Sequence, residues 1–206
     1  MRRTQTERSA ATQRALLTAA RRLWGKRGYA EVGTPEIAEA AGVTRGAMYH
    51  QFADKPALFL AVLEELEEEL MQRLAGAVAA AGPKTAADAL YVAADAWLDI
   101  AREPEVRQLI LLDAPSVLGW DGFREISRRY ALGMTEELLG AAIEAGQLRR
   151  QPVRALATVL LAALDEAAMS IASSEDRARE EADVRAVVRN LIDGLLTAPR
   201  GRRSGR

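Results

Sequence analysis

Residues 34–55 read TPEIAEAAGVTRGAMYHQFADK, and their types suit chemistry with a polyanion. Arg45 carries a guanidinium able to bond the O6 and N7 of guanine in a major groove, and equally able to hold a backbone phosphate. Gly46 and Ala47 present almost no side chain, so backbone there can approach base edges or a thymine methyl. A glycine inside a helix costs roughly 1 kcal/mol, so helix stability alone does not favour it. Tyr49 and His50 can donate to phosphate oxygens, or serve as packing and surface residues. Thr34, Thr44 and Lys55 stand where helices are expected to begin, and helix N-termini attract anions. Phosphate contacts of this kind position a protein on DNA, and base contacts specify sequence.

These residues need a frame. Thr34-Pro35-Glu36 reads as a helix start, with Thr34 as N-cap and Pro35 at the first helical position, and Gly42 ends that helix. Thr44 caps a second short helix, Arg45 to about Gln51. Two helices across a tight glycine turn form a helix-turn-helix, whose second helix enters the major groove. Ahead of it, a helix from about Ser9 to Arg27 carries Leu16, Ala20, Leu23 and Trp24 on one face and ends at Gly28. Behind it, Asp54 caps a helix from Lys55 to about Ala80, with Leu58, Phe59, Val62, Leu66 and Leu70 on one side. The glutamates at 64–69 fall largely on the other, a solvated face.

The same periodicity persists to the end of the chain, and nothing alternates with period two. The fold class is therefore all-α, with about nine helices. Thr85-Ala86-Ala87-Asp88 opens a helix to about Arg102. Pro104, Pro115 and Gly119 punctuate a shorter one near Val106–Leu112, and others run from about Gly122 to Ala145 and from Pro152 to about Ala172. Ser173-Ser174 is expected to cap the last, which ends near Leu196. The apolar stretch Ala155–Leu164 is bounded by Asp165 and Glu166, is too short to span a bilayer, and reads as buried. Those two carboxylates suit a ligand anchor, a solvent face, or a pair with Arg107 or Arg189.

Composition narrows the function. The apolar fraction of 49% marks a folded chain. No cysteine and a single histidine, His50, exclude disulfides, thiolate metal sites and multi-histidine sites, and fit a reducing cytoplasm. No catalytic group, metal or cofactor is expected. Net charge is −1 overall, but residues 1–55 carry ten Lys/Arg against five Asp/Glu, while 56–199 carry fourteen against twenty-four. Four arginines lie in 200–206. A basic head on an acidic body suggests that the head alone meets a polyanion. Arg2 and Arg3 could extend that head as an arm or lie solvated.

The stretch from about Arg14 to Leu63, with AARRLWGKRG and then GYAEVGTPEIAEAAGVTRGAMYHQFADKPALF, resembles the DNA-binding domain of the TetR family of bacterial repressors. The resemblance implies that Thr44–His50 lie on the recognition helix. Thr34, Thr44, Tyr49 and Lys55 would then contact DNA, and Arg45, Gly46 and Ala47 would take the base-reading positions. Met48 and Phe52 would face the small domain's core. Trp24 stands where phenylalanine is common, and Pro35 where an aliphatic or polar residue is usual. The resemblance further implies a helical ligand-binding and dimerisation domain, a four-helix dimer interface, and repression relieved by a small molecule.

The expected division is a DNA-binding domain at 1–55, a ligand-binding and dimerisation domain at 56–199, and a disordered basic tail at 200–206. Trp97, Leu111, Trp120, Phe123, Tyr130 and Met134 supply apolar surface for a pocket or for plain core. Leu156, Leu160 and Leu164 on one late helix, and Val187, Leu191 and Leu195 on the other, are the dimer candidates. Expected partners are an operator duplex, a small effector and a second copy of the chain, with no membrane. A helical enzyme lacks residues to support it, and a protein-only adaptor leaves residues 34–55 unexplained.

Overall fold

Leu16, Leu17, Ala19, Ala20 and Trp24 recur on one face of the first helix, α1 (Gln5–Arg27), and all are buried. In the computed structural model, which describes residues 5–197, α1 begins four residues earlier than its apolar pattern predicts. The early turns hold polar, exposed residues that no periodicity marks. Gly28 ends the helix at φ 85°, with its N–H donating to Trp24 O at 2.7 Å.

Helices α2 (Thr34–Ala40) and α3 (Arg45–Gln51) pack on α1 and on each other. Gly42 turns between them at φ 66°, a conformation that favours glycine. The N-cap of α2 is Gly33, not Thr34, which already lies inside the helix. Extended Gly33, at φ −89° and ψ 160°, sets the entry, and Thr34 and Pro35 fill the first helical turn. Helix α4 (Lys55–Ala81) is capped as expected, with Ala57 N–H donating to Asp54 Oδ1 at 2.7 Å. Its Leu58, Phe59, Val62, Leu66 and Leu70 are fully buried. The glutamate run is less solvated than its charge suggests. Glu67 is 5% exposed, Glu64 pairs with Arg129 at 2.9 Å, and Glu69 pairs with Arg21 at 2.7 Å. Helical spacing turns part of a continuous acidic run inward.

Helix α5 (Ala86–Ala101) opens on Thr85, whose hydroxyl accepts from Asp88 N–H at 3.0 Å. The stretch beyond α5 is more continuous than its prolines predict. A single turn, α6 (Pro104–Val106), passes into a π-helical segment at Arg107–Asp113 and then into α7 (Ala114–Glu144). Pro115 does not stop the chain. A widened turn ahead of it leaves room for a ring that a regular α-helix would drive into the carbonyl four residues back. Gly119, at φ 69° and ψ 169°, is not helical, so α7 is two helical runs meeting at a break there, as the punctuation read at Gly119 predicts.

Helices α8 (Val153–Ser173) and α9 (Arg177–Leu195) pack together. Helix α8 continues through Asp165 and Glu166 to 21 residues, long and apolar enough to cross a membrane, and only 22% of its apolar window is buried. The helix has the extent its sequence predicts, but the burial expected of its apolar stretch is only partial. Asp176, not Ser173-Ser174, caps α9, accepting from Arg179 N–H at 3.2 Å. Ser173 still belongs to α8. An isolated bridge, Leu148 with Leu196, closes the end of α9, and no strand occurs among the described residues. The basic tail expected at 200–206 and the arm at Arg2 and Arg3 lie outside the described residues.

The chain divides into two compact units. One comprises residues up to 72 with 99–130, and the other 73–98 with 131 onward. In the second, Arg185 and Arg189 of α9 both hold Asp95 of α5. Nearby, Tyr91 donates its hydroxyl to Asp193, and burial, then that carboxylate, pushes the phenol up to about 12 from 10.0. The fold therefore favours the protonated phenol. That stability is fully present below pH 10.0 and is lost as pH rises towards about 12. Urea midpoints across this window should fall more steeply for the native chain than for Tyr91→Phe.

Candidate nucleic-acid interface

Helix α3 has two unlike faces. Met48 is fully buried and Phe52, its C-cap, is 7% exposed, as the resemblance implies. Arg45, Gly46, Tyr49 and His50 are exposed, and Ala47 is half-buried. Thr44 caps the helix, its hydroxyl accepting from Ala47 N–H at 3.1 Å. A methyl group added to Gly46 would find only Thr44 Oγ1, at 3.9 Å. The protein's own packing therefore has room for alanine there, and the helix bears a glycine that its interior does not require.

Thr34, half-buried in the first turn of α2, shares a hydrogen bond of 3.2 Å with the Tyr49 hydroxyl. Two candidate phosphate donors thus meet at one point on the surface of α2 and α3. Lys55 is also near but is held. Its ammonium donates to Tyr29 O at 2.6 Å and lies 3.9 Å from the Tyr29 ring centre. Burial lowers its pKa, and Asp113 acts in the opposite direction. An ammonium has three N–H donors, so engagement with one carbonyl does not exhaust it.

Sequence reading missed the residues that brace this face. Gln51, at the end of α3, donates to Ser9 of α1 at 2.9 Å. Arg27 pairs with Glu36 at 2.6 Å and donates to Glu31 O at 3.0 Å, joining α1 to α2. Beneath lies an aromatic cluster. Trp24 and Tyr29 lie 5.4 Å apart, Trp24 and Phe59 5.4 Å, and Tyr29 and Phe59 4.9 Å.

The six pocket candidates fall in both units. Leu111 and Phe123 are buried, Trp120 is half exposed against Phe123 at 5.7 Å, and Tyr130 is half-buried beside Glu64 and Glu68. Burial first, and these carboxylates next, raise the Tyr130 phenol. In the other unit, Trp97 is 9% exposed and donates to Leu164 O at 3.4 Å, while Met134 is half-buried. A cleft of about 710 Å³ against α1 is lined instead by charged residues, including Arg21, Arg22, Lys26, Glu65 and Glu105, and by none of the six. Of the dimer candidates, Val187 and Leu191 are 57% and 50% exposed. Leu160 is buried within its unit, and Leu156, Leu164 and Leu195 are half-buried.

Two family models match. One, described as bacterial regulatory proteins of the tetR family, covers residues 16–62. The other, a tetracyclin repressor-like C-terminal domain, covers 87–195, more than half of the chain. The chain belongs to the TetR family. It is a DNA-binding transcriptional regulator. The HTH-type transcriptional repressor Rv1474c of Mycobacterium tuberculosis is 30% identical over 82% of this chain and 87% of its own length. The HTH-type transcriptional regulator CymR of Pseudomonas putida is 43% identical, over 35% of this chain and 36% of its own length. A TetR-family transcriptional regulator of Pectobacterium atrosepticum has a similar structure, with a TM-score of 0.83 and 32% identity, covering 96% of this chain and 100% of that one. The short match is the more identical of the two sequence relatives, and the longer ones extend across most of the helices of this chain.

Proposed function

We propose that this TetR-family chain is a cytoplasmic repressor that binds a palindromic operator as a two-fold dimer and leaves it when a small molecule occupies the helical domain beyond residue 55. The observation that carries the DNA half is α3: a capped helix with Met48 fully buried on one face and Arg45, Gly46 and Tyr49 open on the other. Arg45, Gly46 and Ala47 read bases. Thr34, Thr44, Tyr49, His50 and Lys55 hold phosphates. Two such helices in a dimer occupy major grooves about 34–36 Å apart, or a multiple of it. The effector binds against aromatic and apolar residues of one unit, either Leu111, Trp120, Phe123 and Tyr130 or Trp97 and Met134, and the two ligands oppose each other by linkage. The chain acts by binding and needs no cofactor or turnover.

The test is selection of bound fragments from a random duplex pool at near-physiological salt. An enriched palindrome is expected. Arg45→Ala should flatten the preference at one symmetric position, by about 1–3 kcal/mol, while leaving the others in place. A folded, dimeric protein free of bound small molecules that enriches no sequence would overturn the reading. Equal loss on every sequence would move Arg45 from the bases to the phosphates.

A further inference from the structure

Tyr29 joins two parts of one compact unit that are far apart in sequence. Its backbone N–H donates to Asp113 Oδ2 at 2.8 Å. Its carbonyl and ring hold the Lys55 ammonium. Asp113 is the last residue of the π-helical segment Arg107–Asp113, and its other oxygen accepts from Gln108 Nε2, in the same segment, at 3.1 Å. Gln108 also presses on the turn that presents Tyr29. A Cβ at Gly28 would lie 2.9 Å from Gln108 Nε2. We propose that Asp113 is a positioning residue for DNA binding, which through Tyr29 fixes the Lys55 ammonium where a backbone phosphate can reach it. This role presupposes the DNA binding proposed for α3 and Lys55.

Three observations make this more than a local hydrogen bond. First, the contact is anchored at both ends of the π-helical stretch. Just before it, Glu105 holds Arg21 of α1 at 2.7 Å, and Gly25 of α1 lies so close that an added Cβ would be 3.3 Å from Glu105 Cγ. At its far end, Asp113 holds Tyr29. Second, the segment's hydrogen-bond register is specific to its π form. In an α-helix each residue turns the chain by about 100° and advances it by about 1.5 Å. Returning the wide turn to α register would displace one anchor relative to the other by about one residue, so Glu105 and Asp113 could not both keep their partners on α1 and its turn. Third, the segment is buried through Leu109, Ile110 and Leu111, so its register is set by the packing of its apolar side. Packing around Leu111, one of the proposed effector contacts, would thereby reach Lys55 without any change in the spacing of two recognition helices.

The experiment is a double-mutant cycle on the full chain, using a random-sequence DNA duplex as probe and titrating at several salt concentrations. Lys55→Ala is expected to weaken binding roughly tenfold and to reduce the log–log salt slope by about one. Asp113→Ala should do the same, although it removes a negative charge and would strengthen binding if simple electrostatics governed. The double variant should be no weaker than Lys55→Ala alone, the signature of a shared interaction. Asp113→Asn, which keeps an acceptor for the Tyr29 N–H, should restore the slope. Additive losses, or an unchanged slope in Asp113→Ala, would overturn the assignment. If Asp113→Ala does not fold, Gln108→Ala, which frees Asp113 Oδ1, takes its place in the cycle with the same expected non-additivity. A native chain with no salt-dependent DNA binding would overturn the DNA reading itself, whereas native binding with an additive cycle removes Asp113 alone.

Discussion

Trp24→Ala is expected to cost about 3–5 kcal/mol of unfolding free energy, the range for deleting a fully buried large aromatic side chain. Trp24 is 0% exposed and touches both Tyr29 and Phe59. Its indole N–H donates to Val32 O at 3.3 Å, fastening the loop ahead of α2. Removing it opens a cavity beneath the turn that leads into the helix-turn-helix and orphans a buried carbonyl as well. Trp24→Phe keeps the ring contacts, and should lose only about 1–3 kcal/mol through the missing N–H and partial void. Urea unfolding monitored by circular dichroism separates the two. A loss below about 1 kcal/mol for Trp24→Ala would show that the cluster is not the packed base of this unit. DNA binding should fall with Trp24→Ala wherever the unfolded fraction becomes appreciable, and recover at low temperature, unlike the loss in Lys55→Ala.

The cluster also shows what a sequence exposes and what it conceals. Trp24 and Phe59 stand in apolar stripes with helical period, so their burial is readable from spacing. The caps at Thr44, Asp54 and Thr85 are readable because each is a local event within three residues. Thr34 misleads because the same residue type suits an N-cap and a first-turn position, and only the backbone decides between them. Pro104 and Gly119 punctuate the chain as they read, but Pro115 does not, since the π-helical turn ahead of it has no periodic signature in seven residues. The recognition face needs only the residues of α3 and its neighbours. Its supports do not announce themselves: Tyr29 and Asp113 are 84 positions apart, as are Arg21 and Glu105. No local pattern carries a contact of that span. Glu67 shows the opposite failure, where a conspicuous charge run conceals an inward-facing member.

Val187→Glu combined with Leu191→Glu is expected to turn the proposed two-fold dimer into a monomer. Helix α9 carries two apolar stripes. Val188 and Ile192 are buried in their own unit, at 5% and 1% exposure, whereas Val187 and Leu191, four residues apart on the outer face, are 57% and 50% exposed. Val159 of the neighbouring α8 is 67% exposed, and most of that helix's apolar window is open too. A regulator of this family that pairs through α8 and α9 would cover all three, each worth about 1.5–3 kcal/mol when fully removed from water. A glutamate in such a seam would have to leave water without a partner, at a cost of several kcal/mol per charge. In the separate chain both positions face solvent, so the substitutions should change unfolding by no more than about 0.5 kcal/mol each. Sedimentation should therefore show a folded monomer, and affinity for a palindromic duplex should drop at least tenfold as the two half-sites lose their link. The salt-dependent binding of one head to random duplex should survive, since α3 is untouched. A variant that stays dimeric would place the interface on another surface and leave the open face of α8 and α9 to a different partner.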